Sequence, residues 1–131
     1  MSTRSVTNFC YGKTVVAKIY RHPDGYPSSM LPDLKQFFAD VKVQTEDTRF
    51  TDANYLAAKW VVWLAQKFCH DYNFTDMGAE PSNHFKERPL DFISVGVVME
   101  NPGDIEYEYF VNCEKMDKHG FPKVTYKSVR P

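Results

Sequence analysis

The sequence predicts an α+β fold: an antiparallel β-sheet with an N-terminal hairpin and two α-helices inserted before the C-terminal strands. Three observations predict it. Ser5–Phe9 and Thr14–Tyr20 flank a short turn at Tyr11-Gly12-Lys13. Two later segments carry apolar residues at helical spacing. From Phe92 to Val129 the chain then falls into short alternating runs separated by turn residues.

In the second run, Val15, Ala17 and Ile19 alternate with Val16, Lys18 and Tyr20, which gives one apolar strand face. Pro23-Asp-Gly-Tyr-Pro27 punctuates the chain. Ser29 and Asp33 offer helix-start chemistry, and Leu31, Leu34, Phe37, Phe38 and Val41 follow on one helix face. After the polar connection Gln44–Arg49, Thr51 or Asp52 caps a second helix that runs to about His70. Its core stripe is Leu56, Trp60, Trp63, Leu64 and Phe68, while Tyr55, Val62 and Cys69 point elsewhere. A helix apolar on most sides is central in its domain or shared with another subunit; contact with a second subunit is the expectation. Asn73–Pro89 reads as a long loop suited to binding. Phe92–Met99 reads as a buried strand, Asn101-Pro-Gly-Asp104 as a turn, and Ile105–Cys113 as a half-exposed strand. Lys118-His-Gly120 turns the chain into a last strand, Lys123–Val129.

The 131 residues fit one domain, 1–131, able to fold without a metal or disulfide. The net charge of −1 argues against a reader of duplex nucleic acid, whose domains are usually basic. Aromatic residues make up 15%, with eight Tyr and ten Phe. These serve cores, and equally interfaces and stacking platforms for bases. Cys10, Cys69 and Cys113 have no metal-type spacing and read as reduced thiols of a cytosolic protein. The start lacks the apolar core of a signal peptide, and Tyr55–Phe68 is too short to span a bilayer, so no membrane association is expected.

Candidate chemistry concentrates in Tyr20–Pro27. Pro23 and Pro27 fix φ and bias His22 and Tyr26 toward extended backbone. Asp24-Gly25 is a turn pair in which Gly accepts positive φ. This stiff loop displays Tyr20, Arg21, His22, Asp24 and Tyr26 within one turn. It is either a ligand-facing wall or a strand-to-helix turn whose rings pack on the sheet. Arg49 and Asn54, at the start of the second helix, are an anion site or a solvated Arg with a capping Asn. In the long loop, Phe85 is a stacking candidate beside Asn83, with Lys86 and Arg88 within reach of phosphate. Arg4 on the first strand is a further candidate. His22, Asp24, His70, Asp71, His84 and His119 lack metal-ligand spacing, so no metal or cofactor is expected. No nucleophile motif and no phosphate-cradling Gly-rich loop is present.

The residues also carry a resemblance. Thr3-Arg4-Ser5, the run from Ile19 through Tyr20-Arg21-His22-Pro23-Asp24-Gly25-Tyr26-Pro27 to Ser28, the start Leu56-Ala57-Ala58, and Tyr107-Glu108-Tyr109 together resemble the phage Thoeris anti-defence type 1 family. The specific core is Tyr-x-x-x-Asp-Gly-Tyr-Pro. Where relatives commonly place Gly after the Pro-Ser pair, this chain has Ser29. The resemblance implies a non-enzymatic sponge. Such a protein sequesters cyclic ADP-ribose-type immune signals, and in some members cyclic oligonucleotides, without cleaving them. It implies a homo-oligomer, dimer-based and up to a hexamer, with ligands at subunit boundaries, acting in the cytoplasm of an infected bacterial host. The ligand-binding set carried into the structure is Arg4, Tyr20, His22, Asp24, Gly25, Tyr26, Pro27, Arg49, Asn54, Asn83 and Phe85. The alternatives are a small nucleotide phosphodiesterase or hydrolase using His22 and Asp24, or a protein-binding inhibitor module.

Overall fold

Alternation along the chain becomes a two-layer α+β arrangement, with a five-stranded sheet under two helices. The computed structural model describes residues 3–75, residue 90 and residues 94–129. In chain order the elements are β1 (Ser5–Tyr11), β2 (Thr14–Arg21), α1 (Pro27–Gln44), α2 (Ala53–Thr75), β3 (Val95–Val98), β4 (Tyr107–Met116) and β5 (Pro122–Ser128). The sheet order is β3-β2-β1-β4-β5.

The N-terminal hairpin forms where expected. Gly12, at φ 61°, supplies the left-handed residue of its turn. A register shift between Phe9 and Cys10 leaves Val16 without a partner, and Val15 and Val16 are exposed there. The sheet itself is mixed. β1 and β4 run parallel, with Ser5 opposite Tyr107 and Phe9 opposite Val111, while the other three pairings are antiparallel. This corrects the all-antiparallel expectation. A parallel neighbour needs a long crossover, and the stretch carrying β2, both helices and β3 provides it.

Both helices cover one face. Phe9, Ile19, Tyr109 and Val111 from the sheet share a core with Leu34, Phe37 and Phe38 of α1 and with Leu56, Trp60, Leu64 and Phe68 of α2. Phe37 meets the Trp60 ring edge-on at 5.1 Å, and Trp60 stacks on Trp63 at 5.4 Å. Trp63 is half-buried and donates its indole N–H to Asp40 at 2.8 Å. Among the described side chains of α2, most of the large apolar ones are thus consumed inside the domain, with Tyr55 and Val62 left exposed.

Several boundaries moved, β4 among them, from the expected Ile105–Cys113 to Tyr107–Met116. α1 begins at Pro27, earlier than Ser29 or Asp33 suggests; its N-cap, Tyr26, makes no side-chain cap bond. α2 starts as expected, because Asp52 accepts the Tyr55 N–H at 3.2 Å, but it continues to Thr75. The strand expected over Phe92–Met99 is observed as Val95–Val98 at the sheet edge, and Val97 is 77% exposed. It is therefore an edge strand and not a buried one. Among the described residues no helix is long and apolar enough to cross a membrane.

The join between β2 and α1 rests on Arg21. In β2, Ala17, Ile19 and Arg21 share the inward row, so Arg21 enters the core and is 1% exposed. Its guanidinium donates to Asp33 Oδ2 at 2.7 Å from Nη1 and to the Pro23 carbonyl at 2.7 Å from Nε. It also lies 5.5 Å from the Phe68 ring centroid. Breaking a buried pair strands the remaining charge, at a cost of about 3–5 kcal/mol. Arg21→Ala and Asp33→Ala are each expected to lose stability on that scale in urea denaturation. Arg21→Met combined with Asp33→Leu is expected to recover much of it. A near-native midpoint for Asp33→Ala would contradict this role for the pair.

Candidate functional site

The turn from Tyr20 to Pro27 is held at both ends and in the middle. The His22 N–H extends the sheet ladder to the Ser94 carbonyl at 3.0 Å. Gly25 donates to the Thr3 carbonyl at 2.8 Å, and its own carbonyl accepts the Tyr109 hydroxyl at 2.7 Å. Burial pushes the Tyr109 phenol well up, so it remains a donor across the ordinary pH range. The positive φ belongs to Asp24, at 56°, and not to Gly25 as the turn chemistry suggests. Gly25 is required for a different reason. A Cβ there would stand 2.6 Å from the Thr3 carbonyl oxygen and 2.8 Å from the Ser5 side chain.

Around this turn three of the sequence candidates meet. Arg4 Nε donates to His22 Nδ1 at 3.4 Å, and the Tyr20 hydroxyl lies 3.1 Å from the same nitrogen. Arg4 can only donate, so in this contact Nδ1 acts as the acceptor, the tautomer that leaves the proton on Nε2. Arg4 also pairs with Asp104 at 3.0 Å, both side chains being partly exposed. Desolvation, with Asp104 nearby, raises the Tyr20 phenol despite Arg4. It therefore stays a neutral hydroxyl, able to give or take a hydrogen bond. Next along the turn, the Tyr26 hydroxyl donates to Asp24 at 3.3 Å, and the Tyr26 ring is exposed. Pro27 opens α1.

The second cluster of candidates lies elsewhere. α1 has 18 residues, so at about 1.5 Å per residue its ends are about 27 Å apart. The Tyr20–Pro27 turn enters one end, and Arg49 follows the other. Arg49, at φ 51°, stacks 4.3 Å over the Tyr55 ring and pairs with Asp52 at 3.7 Å. The Asp52 carboxylate already occupies the start of α2, so this helix end is self-neutralised within one chain. Asn54 is exposed beside it. Asn83 and Phe85, with Lys86, Arg88 and His84, lie outside the described residues, as does most of the long loop.

Sequence reading missed Asp104, which completes the Arg4 corner, and the network beneath it. Glu108, expected on a solvated strand face, is 7% exposed. It accepts from Asn8 and Asn101 Nδ2 groups, each at 2.9 Å, and faces Lys127 at 3.5 Å and Lys18 at 3.7 Å. Lys18 bonds Asn8 at 2.8 Å and Asn101 at 3.0 Å. Asn8 on the buried centre of a strand was the legible signal, since a buried amide demands partners.

Two of the three thiols, Cys10 and Cys113, are buried. Burial raises the Cys10 thiol, with Lys18 opposing and Glu108 adding, and burial raises Cys113 to about 11. Both are therefore protonated at neutral pH and shielded. Among the described residues no group of three His, Cys, Asp or Glu is placed to hold a metal ion. No family model, curated protein or solved structure matches the chain.

Desolvation acts to raise the Glu108 carboxyl, but the Asn101 and Asn8 hydrogen bonds, then Lys127 and Lys18, outweigh it and leave it below the ordinary carboxylate value. A depressed folded-state value means stability that is present above about pH 4.5 and lost as pH falls through the folded value. Urea midpoints measured from pH 7 to pH 3 are expected to fall more steeply in the native protein than in Glu108→Gln. Parallel acid limbs would show that the network carries no such linkage.

Proposed function

We propose that the protein is a non-enzymatic binder of cyclic nucleotide signals of the cyclic ADP-ribose type, acting as a stoichiometric trap. The observation that carries this reading is the corner where Arg4, Tyr20 and His22 join beside the exposed Asp24–Tyr26 pair. It offers a guanidinium and an imidazole N–H for a phosphate. It also offers a carboxylate for ribose hydroxyls and an exposed ring for a base. The Tyr-x-x-x-Asp-Gly-Tyr-Pro core that resembles the Thoeris anti-defence family is this same turn.

A trap needs slow release and no transition-state preference. Nanomolar affinity requires about −12 kcal/mol. One stacked base contributes about 1–3 kcal/mol, and charge-assisted bonds must supply much of the rest. One corner with one arginine is a modest source. A second copy bringing its Arg49 end to the corner would add a cation that the same chain holds past the opposite end of α1. Homo-oligomerisation therefore belongs to the proposal, as does action in the cytoplasm of an infected host. The hydrolase alternative has weaker support. His22 Nδ1 is taken by Arg4 and Tyr20, Asp24 is turned to Tyr26, and among the described residues no hydrogen bond joins His22 to Asp24.

The Arg4–Asp104 pair is exposed and worth about 0–1 kcal/mol to folding, so Arg4 can be removed without unfolding the domain. Arg4→Ala and Tyr26→Ala are expected to weaken binding of a cyclic ADP-ribose isomer roughly tenfold or more in calorimetry, with urea midpoints near native. Heat denaturation of the complex is expected to return the nucleotide chemically intact. Altered nucleotide in the supernatant would favour the hydrolase, and unchanged affinity in both variants would remove the corner from the site.

A further inference from the structure

The two edges of the sheet are unlike. β5 opens on Pro122 and carries Lys123 and Lys127, the residue types that keep a sheet edge from pairing with another chain. β3, at the other edge, reads Val95-Gly96-Val97-Val98, with no charge and no proline. Val97 is exposed, and among the described residues β3 pairs with β2 alone.

The ladder fixes which backbone groups of β3 point outward. The Ser94 carbonyl accepts the His22 N–H at 3.0 Å. In an antiparallel pair this role falls to every second residue. Gly96, opposite Tyr20, and Val98, opposite Lys18, therefore bond β2, while the N–H and C=O groups of Val95 and Val97 face away from the sheet. A row of this kind is a template for another strand. The side chains of Val95 and Val97 lie opposite Arg21 and Ile19 and share their helix-covered face. Val95 packs against the core, whereas Val97 lies beyond its margin.

The sequence of the edge suits one occupant, a second copy of itself. Val95-Gly96-Val97 reads the same in both directions. Two copies related by a two-fold axis at Gly96 therefore pair antiparallel, with Val95 of each opposite Val97 of the other. Each such pair exchanges two backbone hydrogen bonds, which uses every outward group of Val95 and Val97. The exposed Val97 of each copy then covers Val95 of the other as a β-branched cross-strand pair. Gly96 meets Gly96 on the axis. A glycine inside a strand often marks the close approach of another backbone, and its own chain does not demand one here: among the described residues a Cβ would meet only the Tyr20 side chain, at 3.9 Å. Head-to-tail pairing of β3 with β5 would instead set it against the Pro122, Lys123 and Lys127 edge.

We propose that β3 is a self-association edge that joins two copies of the chain into a dimer with one continuous sheet. The contact uses neither a nucleotide nor Arg49, so it stands apart from the trap reading.

The test is sedimentation equilibrium of the full chain without nucleotide, from micromolar to millimolar concentration, since so short an edge buries little area. The mass is expected to rise toward twice that of one chain. Val97→Pro removes an outward N–H and no bond to β2. It is expected to weaken association roughly tenfold or more with a melting temperature near native, and Val97→Ile to retain association. Gly96→Cys is expected to oxidise to a disulfide-linked dimer that the native chain does not form, because the paired Cα atoms would stand about 4.5 Å apart. Arg49→Ala is expected to leave the mass unchanged. A single-chain mass across the range, native association in Val97→Pro, no linked dimer in Gly96→Cys, or dissociation in Arg49→Ala would each overturn the assignment.

Discussion

The buried ion pair of Arg21 with Asp33 is the constraint on which the join between β2 and α1 depends. A guanidinium in a core is costly unless its donors are met. Here one carboxylate from α1 and one carbonyl from the intervening turn meet two of them. The pair therefore sets the distance between the end of β2 and the second turn of α1, and fixes where Pro23 lies between them. The Tyr20–Pro27 loop leaves β2 and enters α1 across that clasp. The Gly25 contacts with Thr3 and Tyr109 then press the loop onto β1 and β4. Rigidity of this kind lowers the ordering cost of binding.

The other sheet face is organised by charge rather than by a second layer of helices. Glu108 gathers Asn8, Lys18, Asn101 and Lys127, and through Asn101 it draws the β3–β4 connection across the strands. Ile105, in the same connection, is buried. Asp104 precedes it and reaches Arg4. The Arg4 corner and the Glu108 network are thus successive contacts of one connection, so the position of the Arg4 guanidinium is tied to how that connection is held.

Much of this was legible in the sequence, and the illegible parts share a cause. The hairpin could be read because Gly12 and the alternation around it are local. The α1 core stripe could be read because Leu34, Phe37, Phe38 and Val41 obey a local period. Strand direction could not be read, since β4 alternates identically whether it runs parallel or antiparallel to β1. The start of α1 was hidden because Tyr26 makes no side-chain cap, while Ser29 and Asp33 look like starts. Asp33 serves Arg21 instead. Glu108 looked solvated because its partners Asn8 and Lys18 are remote in the chain and only the sheet brings them together. Of the candidate site, the Tyr20–Pro27 turn was legible as a unit because prolines and an Asp-Gly pair are local signals. That Arg4, itself a candidate, meets this turn and that Asp104 joins it could not be read, both being contacts of tertiary structure.

The geometry of α1 also constrains how any large anion could be held. The two cationic candidates belong to opposite ends of the 18-residue α1: Arg4 meets the turn that enters it, and Arg49 follows its last turn. Arg49 is moreover committed to Asp52 and Tyr55 at its own end. A ligand touching the turn can meet only the local set within one chain. A ligand that also needs the Arg49 end must bring two chains together, and exchanging the exposed Asp52 partner for a phosphate costs little, because a surface pair is worth only about 0–1 kcal/mol. On the proposed reading, tight capture of a doubly phosphorylated ring and self-association would be one event.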